Sequence, residues 1–588
     1  MTTLKGIVCL DGVSGSFKNK FFKSSWSIKP CNYSKAQELF SLDVPCLHID
    51  EDYVIDSFEG PIKSGIKRIQ GENVSFKITC DLIKDNQKKP DYLIILSSPV
   101  ELIGGIRADF NNHAARGLLR VQKTARNCSI DDVIIKNLNC ANNGSNYNTD
   151  VNCIDVSLSD NSTTKIQGIT IANISNGANG IIGDPAGSLM GLYVNAKAGL
   201  TFSLEVTNCA FSEIHNLKNG TIVLEDSGGI YVSEGFPVND NSKVFIHDIT
   251  GENYGKRLIK TDCSNIKIED INGSSSYDDT MSLISLNSGS SNQYKNATVK
   301  SVYFEGVAVY VVASSISNNH FSDIHSNFKR TASPYSCALY IPSDCIAENL
   351  VLRGAQQIAI IDNGQKAVSL KGIDYDDLES ENSLYANAAF ITSEAIFAIS
   401  DISIKTKRIN HLFVDNYPNR SSSDLNLSGT VTNLKYFTTV DSRDFLIQFG
   451  ETSRDSHLSF NDCHFEFAGS VRGLFGIEPV KNNRNHFTLK FSNVDVLYTR
   501  VEPYCVPLGS VSITDETAIE LRNVRVRNSS PQRFSSDMSG LYLRNNRTYS
   551  QSTIDNILID NCFIEGTSIT NSERGIESSG RNIRWRSK

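Results

Sequence analysis

The stretch "IVLEDSGGIYVSEGF" crowds Glu225, Asp226 and Glu234 around Tyr231, although its flanks are apolar. Two carboxylates held roughly 5 to 10 Å apart supply the acid and base, or acid and nucleophile, of glycoside cleavage. Strand parity puts Ile222 and Leu224 inward and Glu225 outward, then Ile230 and Val232 inward and Tyr231 outward. The same acids would also suit a solvated turn. Downstream, "GKRLIKTD" sets Arg257 and Lys260 around an inward Leu258, and "SSYDDTMSLIS" adds Tyr277, Asp278 and Asp279. A cation beside acids neutralises a uronate or holds an oxyanion developing in β-elimination; it can equally be a surface ion pair worth under about 1 kcal/mol. Asp278 and Asp279 alone do not make the cage of about six to eight oxygens that calcium needs. No metal or other cofactor is expected.

In "NTDVNCIDVSLS" the apolar Ile154, Val156 and Leu158 take the inward parity. Cys153 and Asp155 are then expected to face outward, with Asp150 at the preceding turn. Tyr231, Tyr277, Tyr340 and Tyr385 sit beside polar residues and are able to line a sugar-binding groove, whereas Phe465 reads as core packing. The ten histidines lie in no GxSxG-type setting, which disfavours a triad hydrolase.

The elements that would carry these residues repeat. "KVFIHDITGEN" begins at Lys243 and "NIKIEDINGSS" at Asn265, about 22 residues later. Segments of the same kind recur, among them "CSIDDVIIKNLNC", "KIQGITIANISN", "LEVTNCAFSEIHN", "AVSLKGIDYDD" and "AIELRNVRVRNS". Apolar residues at i, i+2 and i+4 predict strands with one buried face, and the Asn, Asp, Ser and Gly between them are turn formers. No copy has helical periodicity, and the tight Asn-Gly or Asp-Gly hairpins of an antiparallel sandwich are sparse. Coils of two or three short strands, stacked in parallel around a shared Ile, Val and Leu core, account for the pattern. Asn side chains at the turns are positioned to hydrogen-bond along the stack.

The 588 residues carry 57 Lys plus Arg against 65 Asp plus Glu, a formal charge of -8, with none of the concentrated basic patch that nucleic acid requires. The N-terminus "MTTLKGIVCLDGVSGSFKNKFF" has too short an apolar run for a signal-peptide core, and no stretch is long enough to span a membrane as a helix. Synthesis in the cytoplasm is expected. The 14 cysteines, from Cys9 to Cys562, show no zinc spacing and read as buried thiols in a reducing compartment.

This pattern resembles the right-handed parallel β-helix of pectate lyases, polygalacturonases and bacteriophage tailspikes. The implied organisation is a cap over residues 1–60, a β-helix over 61–580 and a basic tail over 581–588. The cap is read from "NYSKAQELFSLDVPCLHIDEDYVI" as a helix from Ser34 to about Phe40 with Asn32 as N-cap, then a strand from Leu47 to Ile55. In polygalacturonase-like enzymes an "NTD" segment carries a catalytic acid, so the resemblance adds Asp150, after Asn148 and Thr149, to the candidates. That family's "GHG" is absent, and "KRLIKT" only approximates its "RIK". What the resemblance implies is a polysaccharide-recognising and polysaccharide-degrading protein, a hydrolase or lyase acting on bacterial capsule, O-antigen or exopolysaccharide, assembled as a homotrimer and, in the tailspike case, carried on a virion. The alternatives are a non-catalytic β-helix of exopolysaccharide assembly and a structural or adhesive fibre component.

Overall fold

The two near-identical stretches lie one on top of the other. In the computed structural model, strand Lys243–Glu252 pairs in parallel with strand Ile266–Ser275, matching Val244 to Ile266, Ile246 to Ile268 and Ile249 to Ile271. Ile246 and Ile268 are both fully buried, as a shared apolar column requires. The structure describes residues 31–586 except 84–88, 141–149, 179–187, 219–220, 224–225, 236–240, 279, 288–294, 331–332, 334–335, 342–343, 356, 363–366, 380–385, 394–395, 415–427, 443, 450–455, 478–486, 513–516, 535–539, 545–555, 566–569 and 573–582.

The chain divides into two units, Met1–Thr298 and Val299–Lys588. Each is a right-handed parallel β-helix, the hand that crossovers between parallel strands adopt almost without exception. In the first unit a long sheet stacks strands such as Thr124–Asn139, Ser162–Ala178, Phe202–Lys218 and Lys243–Glu252. A short sheet stacks Tyr92–Leu96, Gly117–Val121, Val151–Ser157, Leu189–Ala196, Ser227–Glu234, Arg257–Thr261 and Ser282–Leu286. In the second unit the long sheet runs through Ser317–Phe328, Cys345–Arg353, Ala367–Asp376, Ile396–Thr406 and Ser428–Thr438, and the short sheet through Cys337–Ile341, Gln357–Asp362 and Ala386–Ser393. Its core adds stacked rings, Phe460 on Phe491 at 5.0 Å, and Phe465 is fully buried.

The long strands are not simple period-two runs. Asp248 and Asp270 sit at φ +54°, and after each the apolar series steps by three, from Ile246 to Ile249 and from Ile268 to Ile271. A left-handed residue turns the strand through a corner, and Asn and Asp tolerate that backbone better than other side chains. The same corner is taken by Asp132, Gly168 and Asn208 in the first unit, and by Asp323, Asn349, Gly372, Asp401 and Asn433 in the second. In the second unit the Asn and Asp side chains at this corner hydrogen-bond along the stack, with a break at Gly372. In the second unit Asn433 Nδ2 donates to Asp401 Oδ1 (2.9 Å), Asn493 to Asp462 (2.9 Å), Asn523 to Asn493 (2.8 Å) and Asn561 to Asn523 (2.7 Å). At another corner of the first unit Asn173 donates to Asn137 (2.8 Å), which donates to Asp109 (2.9 Å).

The cap is a helix, Tyr33–Phe40, whose N-cap Asn32 accepts from the Lys35 amide at 3.1 Å. The expected strand from Leu47 to Ile55 is instead two, Cys46–Ile49 and Tyr53–Ile55, each paired in parallel with Arg68–Ile78. At the other end, Ile583–Arg586 within the expected tail is a strand paired with Asn556–Asp560. The described cysteines are all free thiols, and most are buried. Among the described residues no helix is long and apolar enough to cross a membrane.

Two substitutions test this register. Ile268→Asp places a charge in the apolar column and should cost several kcal/mol, read as a large fall in melting temperature; an unchanged melt would refute the pairing of Ile246 with Ile268. Asn493→Ala loses two ladder bonds and also strains a left-handed backbone, while Asn493→Gly loses only the bonds. Chemical denaturation should therefore find the alanine variant less stable than the glycine variant by about 1 kcal/mol.

Candidate functional site

On the short sheet of the first unit, parallel register lines up one side chain per coil. Arg120 is matched to Asp155, Asp155 to Tyr193, Tyr193 to Tyr231, and Tyr231 to Lys260. Rungs repeat at about 4.8 Å, so this column extends over roughly 19 Å. Its members touch. The Tyr193 and Tyr231 rings are 5.4 Å apart, and Lys260 Nζ lies 4.4 Å from the Tyr231 ring centroid. Lys260 Nζ is also 3.2 Å from Asp226 Oδ1, and Arg257 Nη1 is 3.6 Å from the same oxygen.

Asp262, two residues beyond Lys260, completes this cluster. Tyr231 Oη donates to Asp262 Oδ2 at 2.5 Å. Burial lifts the Asp262 carboxyl above the ordinary range, against the pull of the Tyr231 hydrogen bond and of Lys260, with nearby Asp226 lifting it further. Burial likewise pushes the Tyr231 phenol well up, and the hydrogen bond to Asp262 adds to this, so it stays protonated at neutral pH. Asp226 is half-exposed and ion-paired with two cations. One protonation-prone carboxyl and one ion-paired carboxylate, both close to Lys260, form the arrangement that separates acid and base roles. Arg257 is well buried; its Nη2 meets the Met281 sulfur at 3.1 Å, and its Nε is a covered donor with no hydrogen-bond partner.

At the other end of the column Asp155 accepts from Tyr92 Oη (3.1 Å) and from Asn195 Nδ2 (3.4 Å), and pairs with Arg120 Nε (3.4 Å). Arg116 and Arg120 lie over the Tyr92 ring, 5.4 and 5.9 Å from its centroid. The outward position expected for Asp155 is occupied but covered, only 4% of the residue being exposed. Cys153 is a correction: it is fully buried, because the ladder skips from Asn152 to Ile154 and the alternation breaks there.

Several expected residues lie elsewhere. Glu225 is outside the described residues, as are Leu224, Asp279, Tyr385, Asn148 and Thr149. Ile222 does not point inward. Strand Thr221–Val223 folds back antiparallel on residues 216–218 and leaves Ile222 40% exposed. Glu234 takes the inward parity of Ile230 and Val232, matched to Ala196 in the preceding coil, and is buried away from Tyr231. Asp150 is exposed, and its Oδ1 accepts from the amide and hydroxyl of Ser188, both at 2.9 Å. Tyr277 belongs to a different cluster, donating to Glu213 Oε2 (2.7 Å) and lying 3.2 Å from His215 Nδ1. Tyr340 is in the second unit, its ring 5.3 Å from that of Tyr310. Among the described residues, no three acidic, histidine or cysteine side chains gather as a metal site.

Asp226, Tyr231, Arg257 and Lys260 are thus brought together. Asp262, Tyr193, Arg120 and Tyr92 were not singled out by sequence, although "GLYVNA" and "GIYVSE" align to give the tyrosine pair, and Asp262 shares the parity of Lys260. Compared with known proteins, the chain matches no family model and no curated protein.

Asp155 gives a pH test. Burial raises its carboxyl above the ordinary range, partly offset by Arg120, Tyr92 and Arg116. A carboxyl whose folded pKa exceeds its unfolded pKa adds stability below the unfolded value and loses it as pH rises through the folded value. Asp155→Asn keeps the shape without titrating. Its melting temperature relative to wild type should therefore shift in the variant's favour between about pH 4 and about pH 7; a constant difference would show that folding does not favour the protonated acid.

Proposed function

We propose that this protein binds an extended polysaccharide along the short sheet of the first unit and cleaves it by hydrolysis. The observation that carries the reading is the Asp226, Lys260, Tyr231 and Asp262 cluster, set at one end of a column of side chains spaced one per rung. A sugar ring spans about one rung, so successive residues of a glycan meet successive side chains. Tyr193 and Tyr231 offer ring surface, and Arg120 and Lys260 offer donors.

In the chemical step Asp262 gives its proton to the glycosidic oxygen as the bond from that oxygen to the anomeric carbon breaks. Asp226 takes a proton from the water that attacks the same carbon, or attacks it directly and is released by water in a second step. Lys260 sits beside both acids and steadies the charge that moves between them. Elimination with Tyr231 as base is disfavoured, since its phenol is held protonated. The finer reading, a tailspike-like capsule or O-antigen depolymerase acting as a homotrimer, rests on resemblance alone, and light scattering of the purified chain tests its trimer.

Asp262→Asn and Asp226→Asn should each slow depolymerisation of a capsular polysaccharide by about 10² to 10⁴-fold with the fold intact, while Asp150→Asn should leave the rate within about twofold. Wild-type rates in both cluster variants would move the chemistry elsewhere. A glycan that binds at this face but is never cut would favour the scaffold reading.

A further inference from the structure

The second unit carries a concave surface that the reading above does not use. On the outer face of its long sheet two clefts, of 470 and 830 Å³, share His325 and Val351. Register again sets one side chain per coil beneath them: His325 is matched to Val351, Val351 to Asp374, Asp374 to Ser403 and Ser403 to Lys435. A second column runs from Asn327 to Arg353 to Asp376. Tyr303, 48% exposed, lines the larger cleft and is among the few large rings of the described residues left so open.

The charges decide what fits. Arg353 Nη2 is 2.6 Å from Asp374 Oδ2, and its Nη1 donates to the Leu352 and Asp374 carbonyls at 3.0 and 2.9 Å. Lys329 Nζ is 2.8 Å from Glu305, and Lys405 Nζ is 3.9 Å from Asp376. These cations are already neutralised by acids, so the surface lacks the net positive potential that would hold a polyanion. The paired groups remain partly exposed and keep lone pairs and N–H groups free for hydroxyls, and Tyr303 adds a flat apolar face beside them.

We infer that this face is a second, non-catalytic glycan-binding surface that takes an uncharged, extended oligosaccharide of about five residues, one per rung from His325 to Lys435. It is independent of the cleavage proposed for the first unit. At the His325 end the chain of sugars reaches Tyr303 on the neighbouring strand Lys295–Gly306, where a ring stacks on the phenol, and hydroxyls bridge Arg353, Asp374 and their neighbours on adjacent rungs.

Affinity electrophoresis of the full chain in gels containing dextran, galactomannan or mixed-linkage β-glucan, with polygalacturonate as the charged comparator, tests this. The measurement is made on the Tyr231→Ala protein, so that the short-sheet column of the first unit is impaired throughout. At least one neutral glycan should retard it, polygalacturonate should not, and adding Tyr303→Ala should weaken the retardation about tenfold while leaving the melting temperature unchanged. Asp374→Ala, which frees Arg353 from its partner, should weaken neutral binding and introduce retardation by polygalacturonate. The inference is overturned if no neutral glycan retards the Tyr231→Ala protein, if Tyr303→Ala has no effect, or if polygalacturonate retards the parent as strongly as the neutral glycans do.

Discussion

Parallel main-chain pairing in strict register is the constraint on which the molecule depends. Each rung offers a row of amide and carbonyl groups that must find partners, and the next rung supplies them at a fixed spacing. Once Ile246 is fixed over Ile268, every other residue of the two strands is fixed too, because a slip by one would turn the apolar set outward. The Asn and Asp corners reinforce the same registration. A left-handed residue placed one step late would bring β-branched Ile249 or Ile271 to positive φ, and the ladder bonds would be lost together.

This constraint also makes a site possible from residues far apart in number. Arg120 and Lys260 are separated by much of the first unit in sequence, yet they belong to one outward column because the rungs between them keep register. The fold therefore gives a rigid, evenly spaced array without any loop having to be positioned. Chemistry needs more than spacing, and here burial supplies it. Asp262 and Asp155 are lifted because water is excluded around them, and the cations beside them limit but do not cancel that effect. Asp226, at a corner and half in solvent, has a different environment from Asp262 although both lie close to Lys260.

How much of this can be read in the sequence follows from which physical signals are local. The strands, the turns and the N-cap at Asn32 announce themselves because periodicity and side-chain type act over a few residues. The shared column of Ile246 and Ile268 was legible because two copies of one pattern align by eye. The three-residue step at Asp248 was not, since simple alternation assumes one strand and the corner lies inside it. Glu234 shows the same limit from the other side: its type suggested chemistry, but its parity with Ile230 and Val232, and its match to Ala196, put it in the interior. The pairing of buried Arg408 with buried Asp377, 3.3 Å apart, was also invisible, because the hydrogen bonds from Tyr375 and Thr406 that sustain Asp377 come from separate strands.

Asp262 is the most instructive omission. It stands in "KRLIKTDCS", beside residues that were singled out, and it shares Lys260's parity, yet nothing in its type distinguishes it from the other acids of the chain. What sets it apart is a tyrosine on the preceding rung and enclosure by its neighbours, both products of stacking. In a solenoid of this kind the informative unit for function is therefore the column across rungs. Aligning copies of the repeat first, and only then asking which outward positions carry acids, cations and rings, would have selected Tyr193, Tyr231, Lys260 and Asp262 as a group, because the alignment recreates the register that the backbone imposes.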